Sequence, residues 1–355
     1  MMGTMATPLD LTLDPLADPL DVLTTTRRVV ERARDVRIDA EAVARFAADI
    51  APEIATPTGW DDDLHLRDGT WLTAAFVLVL DALNFCFWST SPDPTDRWRV
   101  AWRGETHDGY WALVAALRRA VEEGRPLFDP AYLLGLTTRD VAHLLRPADE
   151  DGPEIPLLPM RVAHLHELGR GLAAIRDEGI DGRMIGAMPP IVALIAACDE
   201  SAVALVGEVV VRFPSFDDAT TYDGAAVRLY KRAQILAADL HGAFGGAGLG
   251  AFSDLSLLTA FADYKVPQVL RELGLLVYSD ALSATVERRA PIAQGAPQEV
   301  EIRSATVWAC ELLRRALAAS GRLLRATEVD WALWLAGQSL PTGARPYHRT
   351  YTVFY

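Results

Sequence analysis

Tyr230-Lys-Arg-Ala-Gln-Ile-Leu-Ala-Ala-Asp-Leu240, Gly242-Ala-Phe-Gly-Gly-Ala-Gly-Leu-Gly250 and Phe261-Ala-Asp-Tyr-Lys-Val-Pro-Gln268 follow one another closely, and the architecture turns on how they are read. The first carries good helix formers. The second is too rich in glycine for a helix of ordinary propensity to run through it. The expectation is helix, glycine-rich hairpin, helix, with Asp263 at the break before another helix. Pro267 suits the first turn of that last helix, where its missing N–H would have no partner and its φ is already helical. Val266, just before the proline, is pushed toward extended geometry, which ends the preceding helix near Asp263. A carboxylate held at a helix start is kept ionised by the free N–H groups and the dipole. Asp263 is therefore placed to face a developing positive charge.

Outward from this stretch the chain reads as mainly α. Residues 1–24 carry little periodicity and several prolines and are expected to form a flexible N-terminal arm. Helical patterning starts near 24–26 and runs through Val29, Val30 and 40–50; 52–63 reads as loop. A long apolar helix is expected over 71–88, followed by the turn cluster Ser89-Thr-Ser-Pro-Asp-Pro-Thr95. Further helices are expected over 109–123, 130–134, 138–145 (capped by Thr137 or Thr138) and 160–176. The piece 189–211 ends in strand-like valines but reads as helix. Glu299-Val-Glu-Ile-Arg303 suits a short strand or the start of a helix, and Thr327 with Asp330 looks like an N-cap pair. With no internal repeat and no strand–helix alternation, residues 25–355 are expected to form one helical domain.

Length and composition bound the function. A chain of 355 residues, half of it apolar, buries a large core. Its 34 basic and 48 acidic residues give a formal charge of −14, which argues against broad contact with a nucleic-acid backbone. A small anionic substrate remains compatible, because a local pocket can be basic on an acidic protein. Cys86, Cys198 and Cys310 are odd in number and widely spaced, so no disulfide framework or zinc-thiolate pairing is expected, and a reducing, cytoplasmic setting is. The start lacks the basic and apolar regions of a signal peptide, and the most apolar span contains Asp81 and Asn84, which reads as a buried helix and not as a membrane crossing.

Familiar site motifs are missing. No GxGxxG or GxxxxGK[ST] precedes a helix, there is no HExxH, and His164 and His166 are too close in sequence to share a helix face; neither a cofactor nor a metal is expected. What remains is more local. Asp81, Asn84 and Trp88 would form one stripe on the 71–88 helix with Phe85 alongside, either the polar edge of a buried helix, the commoner case, or a pocket wall. Arg228, Lys231 and Arg232 would form a basic helix patch, usually solvated, but the apolar run after Arg232 buries one side of it close to the lysine. After Asp330 there is no acid, while Arg345, His348 and Arg349 sit among Tyr347, Tyr351, Phe354 and Tyr355. That tail suits closure over an anion and a ring, or packing on the body.

Four blocks, Leu80-Asp-Ala-Leu-Asn-Phe-Cys-Phe-Trp88, Tyr230 to Asp239, Phe261 to Gln268 with Leu273-Gly-Leu-Leu-Val-Tyr278, and Tyr347-His-Arg-Thr350, resemble the queuosine salvage protein family, the queuosine 5′-phosphate N-glycosylases/hydrolases. The blocks are long and occur in the family's order over about 25–355. The resemblance implies an α-helical enzyme related to helix-hairpin-helix DNA glycosylases. It would hydrolyse the N-glycosidic bond of queuosine 5′-monophosphate and release queuine for salvage into tRNA. It also implies that the family's essential Lys and Asp are Lys231 and Asp263. Chemistry agrees: breaking a nucleosidic C–N bond builds positive charge on the ribose, which an ionised carboxylate stabilises, or it directs a water. Lys231 would pair with Asp263 or bind phosphate or ribose oxygens. Asp81, Asn84, Phe85 and Trp88 would line the base pocket, Tyr264 would contact substrate, and His348 with Arg349 would bind the phosphate. The alternatives are a DNA glycosylase, against which the net charge argues, and a non-catalytic queuosine-binding protein.

Overall fold

The computed structural model describes residues 8–50, 64–89, 91, 96–341 and 343–355. The expected loop at 52–63 and most of the turn cluster at 89–95 lie outside the described residues. The fold is mainly α-helical, with three two-stranded antiparallel sheets among the described residues. The chain divides into two compact units: Met1–Thr58, Asp218–Lys231 and Leu255–Tyr351 form one, and Gly59–Asp217, Arg232–Asp254 and Thr352–Tyr355 the other.

The first unit is organised around the helix Pro297–Ala319, every residue of which is buried from Glu299 to Glu311. Val22–Arg32, Ala40–Ile50, Lys265–Glu272 and Ala326–Gln338 pack on it. A helix enclosed in this way must find partners for its polar side chains. Glu301 accepts from the backbone N–H groups of Arg34, Asp35 and Val36 (3.1, 2.7 and 3.1 Å) and from the Tyr222 hydroxyl (2.7 Å). It thereby fixes the strand Val36–Ile38, which pairs with Leu276–Tyr278. Glu299 to Arg303 are thus the first turns of a helix. Of the expected arm, residues 1–7 are outside the described set, Leu9, Leu11, Leu13 and Leu20 pack partly buried against the core, and the first helix begins at Val22. The hairpin Ala219–Tyr222 to Ala225–Arg228 turns through Asp223 and Gly224, both with positive φ (47° and 77°), the pattern of a two-residue turn that follows strand twist.

The second unit centres on the helix Trp71–Leu83, capped by the Thr70 hydroxyl and buried from Thr73 onward. Gly109–Glu122, Leu158–Glu178 and Pro190–Ala196 pack on it. This helix corrects the expectation of 71–88: it ends at Leu83, so Asp81, Asn84 and Trp88 do not share one helical stripe. The reason is competition for its carbonyls. Arg161 donates to the carbonyls of Leu83, Phe85 and Cys86, and Arg232 to those of Asp81 and Ala82. Asn84 then leaves the helix (ψ 71°) and Cys86 takes a positive φ of 42°.

Other expectations are also revised. The piece 189–211 is helical but broken into Pro190–Ala196 and Ala202–Arg212, because Asp199 and Glu200 adopt positive φ and Ser201 opens a new cap. The glycine hairpin forms, with Gly245, Gly246 and Gly248 at positive φ; a Cβ on Gly250 would stand 2.4 Å from the Leu240 carbonyl. No α-helix follows it. Between Ala243 and Lys265 there are only the 3-10 turns Gly248–Gly250 and Leu255–Leu257. The backbone there bonds to other elements: Ser253 N to the Glu200 carbonyl (2.9 Å), Phe261 N to Asp330 Oδ1 (2.8 Å) and the Ala262 carbonyl to Arg303 Nε (3.0 Å). Pro267 does lie in a first turn, but Val266 before it is already helical. Arg228 lies in a strand paired with Asp21, so it forms no helix patch with Lys231. The cap of Ala326–Gln338 is Arg325 with Glu328, not Thr327 with Asp330.

Candidate active site

Lys231 opens the helix Lys231–Ala243 from a strained turn: Tyr230 has φ 49°, a conformation an aromatic residue rarely takes. Asp218 holds this turn. Its carbonyl accepts from Leu229 N (2.9 Å) and Tyr230 N (3.1 Å), and its Oδ2 from Lys231 N (3.2 Å). Lys231 is 5 % exposed, so its ammonium is largely withdrawn from water.

Asp263, 8 % exposed, stands just before the helix Lys265–Glu272. Its Oδ1 accepts from the backbone N–H groups of Lys265 and Val266, each at 2.8 Å, doing for this helix what the Tyr264 side chain does not. No hydrogen bond to Oδ2 occurs among the described residues. The helix-start amides are one of several influences on its ionisation. Burial pushes its pKa above the ordinary value, against the pull of Lys231, the two N–H groups and Lys265. The result is a carboxylate more basic than one in water, beside a lysine and two aligned amides. Such a group stabilises a cation and also accepts a proton from water.

Asp330 is the acid that the sequence misassigned. It is 4 % exposed, accepts from Phe261 N and senses the charge of Asp263. Burial first and then Asp263 push its pKa well above the carboxylate range, with Phe261 N–H and Lys231 opposing. Asp263 has the amides and two lysines to favour its charge, whereas Asp330 has one amide and Lys231 and is pushed further toward its protonated form. Cys310, buried beside both acids, is held as a neutral thiol by burial and then by their charges.

The C-terminal candidates lie in the same unit. The Tyr264 and Tyr347 rings are 4.8 Å apart, and Lys265 Nζ stands 5.6 Å from the Tyr347 ring centre. Gln268 Nε2 donates to the Arg345 carbonyl (2.7 Å). Arg349 pairs through its backbone with Pro291 and Ile292, and its side chain senses Arg289. His348 is buried; burial, and then the Arg303 charge, push its pKa down to about 3. It is a neutral imidazole and supplies no positive charge to an anion.

Asp81, Asn84, Phe85 and Trp88 lie in the other unit and are all buried. Two guanidiniums stand over the Phe85 ring, Arg161 at 4.2 Å and Arg232 at 5.4 Å from its centre, and the His164 ring lies at 5.0 Å. Burial pushes His164 down to about 4, and its Nδ1 lies 3.0 Å from the Ala82 carbonyl. No group of three or more His, Cys, Asp or Glu side chains suited to a metal ion occurs among the described residues.

The family model described as "Queuosine salvage protein" matches residues 64–355. A protein of Sphaerobacter thermophilus named queuosine 5′-phosphate N-glycosylase/hydrolase is 53 % identical over 343 residues, covering 96 % of this chain and all of the relative. Proteins of the same name from Bos taurus and Mus musculus are 37 % and 32 % identical, covering 84 % and 96 % of this chain and 86 % and 100 % of their own lengths.

Proposed function

This chain belongs to the queuosine salvage protein family, and from that premise we propose that it hydrolyses the N-glycosidic bond of queuosine 5′-monophosphate and releases queuine. The observation that carries the reading is the buried Asp263 at a helix start, its Oδ1 held by two backbone amides and its charge favoured by Lys231. As the C–N bond lengthens, the ribose gains positive charge at C1′ and O4′. Asp263 supplies the opposing charge in a site where little water screens it. Its raised basicity also suits it to take the proton of the attacking water, which leaves the ribose with a hydroxyl at C1′. Lys231 keeps enough charge on Asp263 for both tasks. The departing 7-deazaguanine nitrogen takes up a proton as the bond breaks, and the proton Asp263 removes from water balances it, so one water supplies both the hydroxyl on C1′ and the hydrogen on the base.

The 5′-phosphate is assigned to Arg349, with Tyr264 contacting substrate and His348 as a neutral hydrogen-bonding neighbour. Asp81, Asn84, Phe85 and Trp88 are kept as base-recognition residues, an assignment that rests on the sequence resemblance. A cytoplasmic location fits three buried cysteines that form no disulfide, and no helix among the described residues is long and apolar enough to cross a membrane. Direct binding to nucleic acid is disfavoured by the charge of −14. The test is chromatography of free base after incubation with queuosine 5′-monophosphate, with queuosine, and with a damaged DNA duplex. Release from the monophosphate is expected. Binding without release would favour a carrier, and release from DNA alone would favour a DNA glycosylase.

A further inference from the structure

The two residues assigned to the reaction sit on different segments, and one side chain from a third segment is bonded to the frame of both. Arg303, on the helix Pro297–Ala319, is 2 % exposed. Its Nε donates to the carbonyl of Ala262, the residue before Asp263, at 3.0 Å. Its Nη1 and Nη2 donate to Asp218 Oδ1 and Oδ2 at 2.9 and 2.5 Å. Asp218 is the residue that gathers Leu229 N, Tyr230 N and Lys231 N into the strained turn presenting Lys231. Glu299, one helical turn before Arg303, stands 3.5 Å from Nη1 and is itself held by Gly295 N at 3.0 Å. A guanidinium fits this place because its donors are fixed in one plane: one edge grips the carboxylate while Nε reaches the carbonyl. An ammonium on a flexible stem cannot do both.

We propose that Arg303 and Asp218 are a positioning pair that sets the separation of Lys231 and Asp263, and that the turnover rate depends on that separation. The proposal rests on the reading of Asp263 and Lys231 given above. Both members are buried, each 2 % exposed, and in this reading they act through Lys231 and Asp263. The Asp218 carbonyl holds Leu229 N and Tyr230 N, while its carboxylate Oδ2 takes Lys231 N, so the first residue of the Lys231 helix follows the carboxylate; Arg303 ties that carboxylate to the backbone one residue before Asp263. A small shift in such a frame is enough to cost about a hundredfold in rate without weakening substrate binding much.

Arg303→Lys keeps the charge and loses the fork, and Asp218→Asn keeps the shape and loses the charge. Each is measured for kcat, KM and thermal unfolding, alone and combined with Asp263→Asn. The expected result is a kcat lower by about tenfold to a hundredfold, with KM within about threefold. Added to Asp263→Asn, either substitution should change the residual rate by less than about threefold, because a positioning residue has nothing left to position. A residue needed only for folding lowers the fraction of active enzyme equally in both backgrounds, so additive losses overturn the proposal. So does a kcat within about threefold of wild type in both single variants. If Arg303→Lys does not fold, the Asp218→Asn series decides on its own. A wild-type protein that releases no base from the monophosphate sinks the underlying reading instead, a different outcome from active variants.

Discussion

Asp263→Asn separates the charge of the carboxylate from its structural work. In the folded protein Oδ1 takes two backbone N–H bonds at 2.8 Å, and the amide oxygen of asparagine can take both. The helix Lys265–Glu272 therefore keeps its cap. What disappears is one negative charge in a buried site beside Lys231. Removing a single preorganised electrostatic partner of a transition state costs about 2.7–4 kcal/mol, or 10²–10³ in rate. Loss of a general base adds a further factor of roughly 10²–10⁴. The expected kcat is thus at least about ten-thousandfold lower.

Stability should move the other way. A carboxyl whose pKa rises on folding contributes stability that is whole below its unfolded value, near about 3.9, and is lost as pH rises through the folded value. Asparagine has no such loss. The Tm of the variant should match wild type near about pH 4 and equal or exceed it at neutral pH. Single-turnover release of queuine, followed by chromatography, gives the rate, and thermal unfolding at both pH values gives the stability. A kcat within about tenfold of wild type would refute the reasoning.

Three further outcomes are expected. Arg349→Ala should lower kcat/KM for queuosine 5′-monophosphate more than for the nucleoside, because charge-assisted contacts to phosphate orient the ribose; equal losses would mean that the tail only packs on the body. Asp330→Asn retains the acceptor for Phe261 N and removes a carboxyl whose pKa is raised by burial and by Asp263, so chemical unfolding across about pH 4–8 should show less loss of stability with rising pH than wild type. An unchanged slope would place the proton elsewhere. His348 and His164 are pushed down to about 3 and about 4, both chiefly by burial. Their contribution is whole above about pH 6.5 and is lost as pH falls toward those values, so His348→Gln should flatten the acid limb of the stability curve; an unaltered limb would contradict this.

The Lys231 and Asp263 segments were legible because each carries its signal locally: a helix start, a proline in a first turn, a lysine beside an apolar run. Several of the errors share one physical cause, a polar group whose partner is remote in sequence. The helix from Trp71 ends at Leu83 because its last carbonyls meet Arg161 and Arg232, and no local propensity registers that. Asp330 stands three residues after Thr327 and so imitates a capping pair, while its real partner, Phe261 N, lies 69 residues away. Asp218 and Arg303 are separated by 85 residues. One signal was nonetheless present. Glu299, Glu301 and Arg303 alternate with Val300 and Ile302, which suggests a strand with one charged face. On a helix Glu299 and Arg303 share one face and Glu301 points to the opposite side, with Val300 and Ile302 between them, and no face remains for water. A helix of that kind must be enclosed, and each of its charges must then be matched by a group brought from elsewhere. Glu301 meets three backbone amides, Glu299 meets Gly295 N, and Arg303 meets Asp218 and Ala262. The helix pattern thus requires partners, and two of those partners lie beside the residues assigned to catalysis.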